Sequence, residues 1–423
     1  MNLRLHYVLI VAGVALGLVA CQSVPTPLPT ATSGPTVEPQ STATPVVMGQ
    51  SFRVYATLPL NGPNAEKTRS IDNAIKLALE QLTDSGLICD GIYKVDYQLL
   101  DDSDATAGKW TMLQEQTNAY KINADADAMA VIGPIDNGAA RVAMPILNKS
   151  GIAIVNPAAD YIGLTKMFAP NDPDVYFEMG KRNFMRLVPP QDTQAVAAAR
   201  WAGTLGIKHV FIVTDIEQYG RGPADTFTIE LSKASIEVVG RDAVDESTSN
   251  LISIANRISS SNADLIYYAG SDVVKAAQLL KQARSSGINA RMMGTSLLMS
   301  QGFVDAAGDL ARDVMATSFG VDMTALSPKG AQFARAYESK YETKPDSYAF
   351  TGYEAVSAVL SSARNVCQKD RVAITDALFN TLDFDGVLGK WSFDEAGDIS
   401  ITSFYGNTYD KGVWQLTTSL TAD

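Results

Sequence analysis

Histidine is nearly absent from this chain: His6 and His209 are the only two in 423 residues. That leaves almost no material for a Ser-His-Asp triad or a multi-histidine metal site. A Gly-x-Ser-x-Gly elbow and a Walker loop are also missing. Gly220-Arg221-Gly222 opens a G-x-G pattern, but Asp225 stands where the third glycine belongs, so a dinucleotide loop fails. Adjacent acids such as Asp101-Asp102 have the chemistry for glycoside hydrolysis, but at the end of a predicted strand they read more simply as strand-ending residues. No catalytic set, cofactor site or metal-ligand set emerges. Positive charge is scarce as well. Lys and Arg number 34 against 46 Asp and Glu, giving a net charge of −12. Such a chain repels phosphate backbones, which excludes nucleic acid as a partner. Long apolar runs are absent apart from Tyr7–Ala20, which is shorter than the ~20 residues a membrane-spanning helix needs.

What is present points to export. Arg4 and the free amine precede the apolar run, as in the positive start and h-region of a signal peptide. The run ends in Leu18-Val19-Ala20-Cys21 and turns polar at once. These four residues resemble the bacterial lipobox, which implies cleavage before Cys21 and acylation of its thiol. The alternative is an ordinary signal peptide with an incidental cysteine. Several acyl chains hold a protein stably at a membrane where one holds weakly. Residues 21–50 are then the lipidated cysteine and a tether rich in Pro, Thr, Ser and Ala, such as Pro25-Thr26-Pro27-Leu28-Pro29-Thr30. It has too little apolar content to fold alone.

From Phe52 the texture alternates between strand and helix. Ile71, Ala74, Ile75, Ala78, Leu79 and Leu82 make one apolar helical stripe. Trp110 to Tyr120 reads as a helix, and Ala128–Ile132 as a short buried strand. Helices are expected over 193–205, 222–234, 251–258 and 272–284. Strands are expected over 209–214, 236–239, 265–268 and 291–293. Continuous apolar strands alternating with amphipathic helices imply α/β layers with parallel sheets covered on both faces. Near the end, residues 390–393, 403–405 and 413–416 read as a small antiparallel edge. Apolar residues make up 46% of the chain, and 423 residues suffice for two or three domains.

Several segments, read in order, resemble the leucine/isoleucine/valine-binding family of type I periplasmic binding proteins. They are Leu60-Asn61-Gly62-Pro63, Leu99-Leu100-Asp101-Asp102, Val131-Ile132-Gly133-Pro134 with its following helix, and Gly151-Ile152-Ala153-Ile154-Val155-Asn156-Pro157-Ala158-Ala159. Gln218-Tyr219-Gly220-Arg221-Gly222, Ile266-Tyr267-Tyr268-Ala269-Gly270 and Gly389-Lys390-Trp391-Ser392-Phe393 follow. The resemblance spans 52–416. It implies a Venus-flytrap fold of two Rossmann-like α/β lobes joined by three crossovers, near 186–189, 317–320 and 403–406. Lobe 1 is then 51–187 plus 320–403, and lobe 2 is 188–318 plus 404–423. It also implies a substrate-binding lipoprotein, lipid-anchored on the outer side of the cell membrane. Such a protein hands a small molecule, by default a branched-chain amino acid, to an ABC transporter permease. A sensor subunit presenting its ligand to a membrane receptor is the first alternative, and a lipid-anchored hydrolase the second. The same fold places Cys89 and Cys367 at ends of helices in one lobe. That favours a disulfide in an oxidising compartment, the alternative being two buried thiols.

Carried over by motif, the family's ligand positions fall on Lys67, Asn137, Ala158, Ala159, Asp160 and Tyr348 in lobe 1. In lobe 2 they fall on Tyr219, Ser271 and Ser296. Backbone N–H groups at Asn137–Gly138 and Ala158–Ala159 would receive a ligand carboxylate. They could equally form a tight loop. The pattern is broken at three places. Asp160 stands where Ser or Thr is common, and would repel a carboxylate. Thr295-Ser296 stands where an acid usually meets the ligand ammonium, a role left to Asp272 or Asp160. Lys67 stands where an aromatic or small residue is common. It opposes the helix dipole, so it is either solvated or paired with a ligand or Asp160.

Overall fold

The structure, a computed structural model, describes residues 47–423 except 216, 217, 246, 249 and 250, and not the side chains of Gln218 and Tyr219. The signal peptide, Cys21 and all but the last residues of the expected tether lie outside the described residues.

The apolar stripe Ile71, Ala74, Ile75 and Ala78 is fully buried along α1 (Ala65–Leu82). It packs beside β1 (Gln50–Leu58), whose second half is buried throughout. There follow β2 (Leu87–Ile88), β3 (Tyr93–Asp101) and a two-stranded ribbon, β4 (Ser103–Asp104) with β5 (Lys109–Trp110). Next come α2 (Met112–Ala124), β6 (Ala128–Ile132), α3 (Asn137–Asn148), β7 (Ala153–Asn156) and β8 (Phe184–Arg186). The first sheet has the order β2-β3-β1-β6-β7-β8 and is parallel except at β2. The crossovers carry α1, α2 and α3, as is usual between parallel strands, except that β7 and β8 are joined by a long loop with two short 3-10 turns.

After β8 the chain enters a second sheet. It contributes α4 (Gln191–Thr204), β9 (His209–Asp215), α5 (Gln218–Lys233), β10 (Glu237–Val244) and α6 (Ile252–Ser261). Then come β11 (Leu265–Tyr268), α7 (Val273–Ser285), β12 (Arg291–Gly294), α8 (Gln301–Ala307) and β13 (Met315–Phe319). The chain then returns to the first sheet with α9 (Pro328–Tyr341), α10 (Ser347–Val366) and α11 (Arg371–Phe379). A hairpin, β14 (Phe384–Gly386) with β15 (Gly389–Trp391), follows, before β16 (Ser403–Asp410) and β17 (Val413–Thr421) close the second sheet. That sheet runs β10-β9-β11-β12-β13-β16-β17, parallel as far as β13 and antiparallel beyond. Four apolar clusters, two per sheet, cover both faces of each. The result is a two-lobed α/β fold with three passages of chain between the lobes.

Two expectations fail locally. Trp110 is a strand residue opposite Ser103, and the helix begins only after Thr111, whose hydroxyl accepts from Gln114 N at 3.3 Å. A capping threonine one residue on is the better start signal. The expected small antiparallel edge is really two structures. β15 pairs with β14, while β16 and β17 make a long ribbon that extends the second sheet. The turn of the first hairpin sits on Glu354, a fully buried acid of α10. Its carboxylate accepts from Val387 N (3.1 Å), Leu388 N (3.3 Å) and Trp391 Nε1 (2.6 Å).

Cys89 and Cys367 are bonded across 278 residues. Cys367 is the left-handed C-cap of α10, but Cys89 lies in the turn after β2 rather than at a helix end. The bond ties an edge of the first sheet to a helix contributed much later. Closing a loop that long restricts the unfolded chain strongly, so reduction is expected to cost about 2–4 kcal/mol. Denaturation with and without reductant measures it, and an unchanged midpoint would remove the bond from the account of stability.

Asp102 follows β3 fully buried, and neither carboxyl oxygen has a hydrogen-bond partner. Burial, with Asp136 and Asp101 nearby, pushes its pKa from the ordinary 3.8 to about 8. A carboxyl raised in the folded state costs nothing below its unfolded pKa, and stability is lost as pH climbs between the two values. Asp102→Asn is therefore expected to stabilise the protein at pH 8 by on the order of 1–3 kcal/mol and to change little at pH 4. Melting curves at the two pH values test this; equal effects at both would show that ionisation is not the cause.

Candidate functional site

The carboxyl ends of parallel strands are where open α/β sheets leave room for ligands. In lobe 1, β6 ends before Asp136, the N-cap of α3, which makes no side-chain cap bond. Asn137 follows. β7 ends in Asn156, and the chain turns through Pro157 to Tyr161. Lys67 stands in the first turns of α1 and Tyr348 in the first turn of α10.

Side chains hold this turn together. Asn156 Oδ1 accepts from Ala158 N at 2.9 Å and Ala159 N at 2.6 Å. Asn137 Oδ1 accepts from Asp160 N and Tyr161 N, both at 2.9 Å, while Asn137 Nδ2 donates to Asp160 Oδ1 at 2.9 Å. Four successive N–H groups are thus already engaged. The expectation that Ala158 and Ala159 offer theirs to a ligand carboxylate is corrected here. Asn156 takes both in an Asx-type turn, and Ala159 is itself buried.

Lys67 is not solvated freely. It is half-buried, and its ammonium lies 4.2 Å from the centre of the Tyr348 ring, a cation–π distance. Burial opposes its charge, but Tyr348, Asp136 and Asp160 outweigh that and raise its pKa. Burial raises the pKa of Asp160, against its bond from Asn137 and the charges of Arg186 and Lys67. Burial likewise raises Asp136, against Lys67 and the Asn64 amide, which donates to its two oxygens at 3.2 and 3.3 Å. Lys67, Tyr348, Asn137 and Asp160 therefore form one cluster. Asp136 and Asn64 belong to it too, and sequence reasoning passed over both. Asp136, at a strand-to-helix junction beside Asn137, carried the signal.

In lobe 2, Asp215 ends β9 and is buried. It accepts from Gly220 N (3.1 Å), Ser271 N (2.7 Å) and Ser271 Oγ (2.8 Å). A Cβ on Gly220 would lie 2.4 Å from Asp215 Oδ1, and one on Gly222 2.5 Å from Ile162 of lobe 1. The G-x-G therefore serves close approach within and between lobes. Ser271 is exposed. Asp272 caps α7, accepting from Val274 N and Lys275 N at 3.0 Å, so one of its oxygens is committed to the helix. Ser296 opens a short helical turn after β12 and is partly exposed. Tyr219 falls in the first turn of α5, and its side chain lies outside the described residues. No hydrogen bond joins the Lys67–Asp160 cluster to Ser271, Asp272 or Ser296 among the described residues. The lobes meet instead where Gln191 N of α4 donates to Asp160 O at 2.9 Å, and where Lys166 pairs with Asp192 at 3.0 Å.

Among the described residues, no helix is long and apolar enough to cross a membrane, and no group of His, Cys, Asp and Glu is arranged to hold a metal ion. The chain is similar to the Leu/Ile/Val-binding protein BraC3 of Rhizobium johnstonii, at 26% identity over 84% of this chain and 90% of that one. In structure it is similar to the leucine-binding protein LivK of Thermotoga maritima, with a TM-score of 0.70, 21% identity and coverage of 88% and 99%. It is also similar to LivJ of Streptococcus pneumoniae in complex with isoleucine, with a TM-score of 0.69, 21% identity and coverage of 88% and 99%. The sequence pattern of the periplasmic binding protein family matches residues 53–406, most of the chain. The chain belongs to the periplasmic binding protein family.

Proposed function

We propose that this protein is the extracytoplasmic solute-binding lipoprotein of an ABC importer, not an enzyme. It takes a small polar ligand of the amino-acid or amide class between two lobes, 51–187 plus 320–403 and 188–318 plus 404–423. Cys21 carries the lipid, residues 22–50 form the tether, and a permease receives the ligand. The observation that carries the reading is the half-exposed polar cluster of Lys67, Asn137, Asp160 and Tyr348 at the strand ends of lobe 1. It lies in a fold whose relatives are named for binding leucine, isoleucine and valine. Ala158 contributes its partly exposed face and Ala159 the shape of the turn. Ser271, Asp272 and Ser296 serve on the lobe 2 side, and Tyr219 is the fourth ligand position there by motif. A ligand that touches both lobes binds the closed arrangement more tightly and shifts the population toward it.

Two experiments test this. A thermal-shift screen of the purified protein against amino acids, amides, small amines and small organic acids should find at least one stabilising compound. A ligand at a hundred times its Kd adds about 2.7 kcal/mol. A broad panel without any shift would overturn the reading. For the anchor, Cys21→Ser should move the protein from the membrane fraction to the soluble fraction and abolish labelling by a fatty-acid probe. Unchanged membrane association would remove the lipid from the account.

A further inference from the structure

The hydrogen bonds of the lobe 1 face narrow the ligand. The N–H groups of Ala158, Ala159, Asp160 and Tyr161 are all spent on Asn156 and Asn137. What remains on this turn is an acceptor: the second carboxylate oxygen of Asp160, whose partner oxygen is held by Asn137. Asp136 lies close by with only long bonds from Asn64. Among the described residues, Lys67 is the one cation that acts on both. The next cation, Arg186, is fully buried and matched by Asp398 at 2.6 Å. With both carboxylates ionised, two against one ammonium leave the face one negative charge in excess. Asp102, fully buried with neither oxygen bonded, lies electrostatically next to Asp136 and deepens the negative potential whenever it ionises.

Closure of the lobes removes water from this face, and an uncompensated charge is costly there. A zwitterion leaves the excess in place, and an anion doubles it. A ligand with a net positive charge cancels it and supplies the N–H donors that the free Asp160 oxygen lacks. Resting on the reading of this cluster as the solute site, we propose that the bound solute is a small organic cation. Its ammonium or guanidinium group seats on Asp160, with Asp136 alongside. Asp160 and Lys67 set this specificity with opposite signs.

Isothermal titration of the purified full-length protein with agmatine, putrescine, arginine, leucine, isoleucine, valine and glutamate tests the proposal. At least one of the three cations should bind, and glutamate and the branched-chain amino acids should not. For the cation that binds, Asp160→Asn should weaken affinity by about tenfold or more, and Lys67→Met should strengthen it. A purely structural defect would weaken both. Should Asp160→Asn fail to fold, Asp136→Asn gives the same sign. Binding of leucine, isoleucine or valine without any cation would overturn the charge assignment and leave the solute-binding role standing. Cation binding indifferent to Asp160 and Asp136 would also overturn it. Binding of no compound, here and in the wider screen, would sink both readings.

Discussion

The geometry of the site depends on one buried guanidinium. Arg186 ends the last strand of the first sheet, where the chain leaves lobe 1, and is wholly excluded from solvent. Its Nε donates to Asp398 at 2.6 Å, one terminal nitrogen to Tyr161 O at 2.8 Å, and the other to the Thr165 hydroxyl. Arg186 N also donates to Gly397 O at 2.9 Å. Burial opposes the charge on Asp398, yet Arg186, with Lys166 beyond it, holds that carboxyl below the usual carboxylate range. A buried pair is tolerable only when further hydrogen bonds use the remaining donors, and removing one partner of such a pair typically costs ~3–5 kcal/mol. Here the extra bonds reach two segments of the site loop.

That connection gives the loop a fixed shape. The turn after β7 is fixed from below by Arg186 through Tyr161 O and from within by Asn156 and Asn137. Its outer edge is fixed to lobe 2 through Gln191 N on Asp160 O. Asp160 thus turns its side chain to Asn137 and the Lys67 cluster and its carbonyl to the other lobe. Lys166, between Asp192 on α4 and Asp398 in the third passage, adds a charged link at the same corner. The cluster and this contact between the lobes therefore share the same few residues. Coupling between the two needs a physical link, and this link is short and contiguous.

Much of the scaffold was legible because it rests on local periodicity. The α1 stripe, the uninterrupted apolar β6 and the alternation of strand with helix are all properties of short windows. What escaped depends on distant partners. Trp110 has the composition of a helix residue, but a strand pairing with Ser103 decides its state. Nothing around Asn137 announces that it will bond a turn 23 residues on, nor does Asn156 show that it will consume the N–H groups of the alanines after it. The positions Lys67, Asp160 and Tyr348 came from motif order. Their grouping into one cluster, and the inclusion of Asp136, needed the fold. Sequence ruled out a dinucleotide loop at the two glycines around Arg221 but gave them no role; close packing against Asp215 and Ile162 accounts for them.

Two kinds of buried charge stand out. Arg186 with Asp398 is balanced and fully bonded, so it costs little and fixes geometry. Glu354, though unpaired by any cation, accepts three hydrogen bonds, and it also fixes geometry. Asp102, Asp136 and Asp160 are different. Burial raises all three, as it raises Glu354. But Asp102 has no bonded carboxyl oxygen and Asp136 only long bonds from Asn64, and Lys67, with Arg186 behind Asp160, is the cation that acts on the cluster. A structure selected for stability alone would replace such groups with neutral isosteres, because unanswered burial of charge is among the few large single-residue penalties. Departures from local consistency concentrate where something else is being served. The cluster around Asp160 is such a departure, and its acids lie beside the strand ends of lobe 1, where a ligand can answer them.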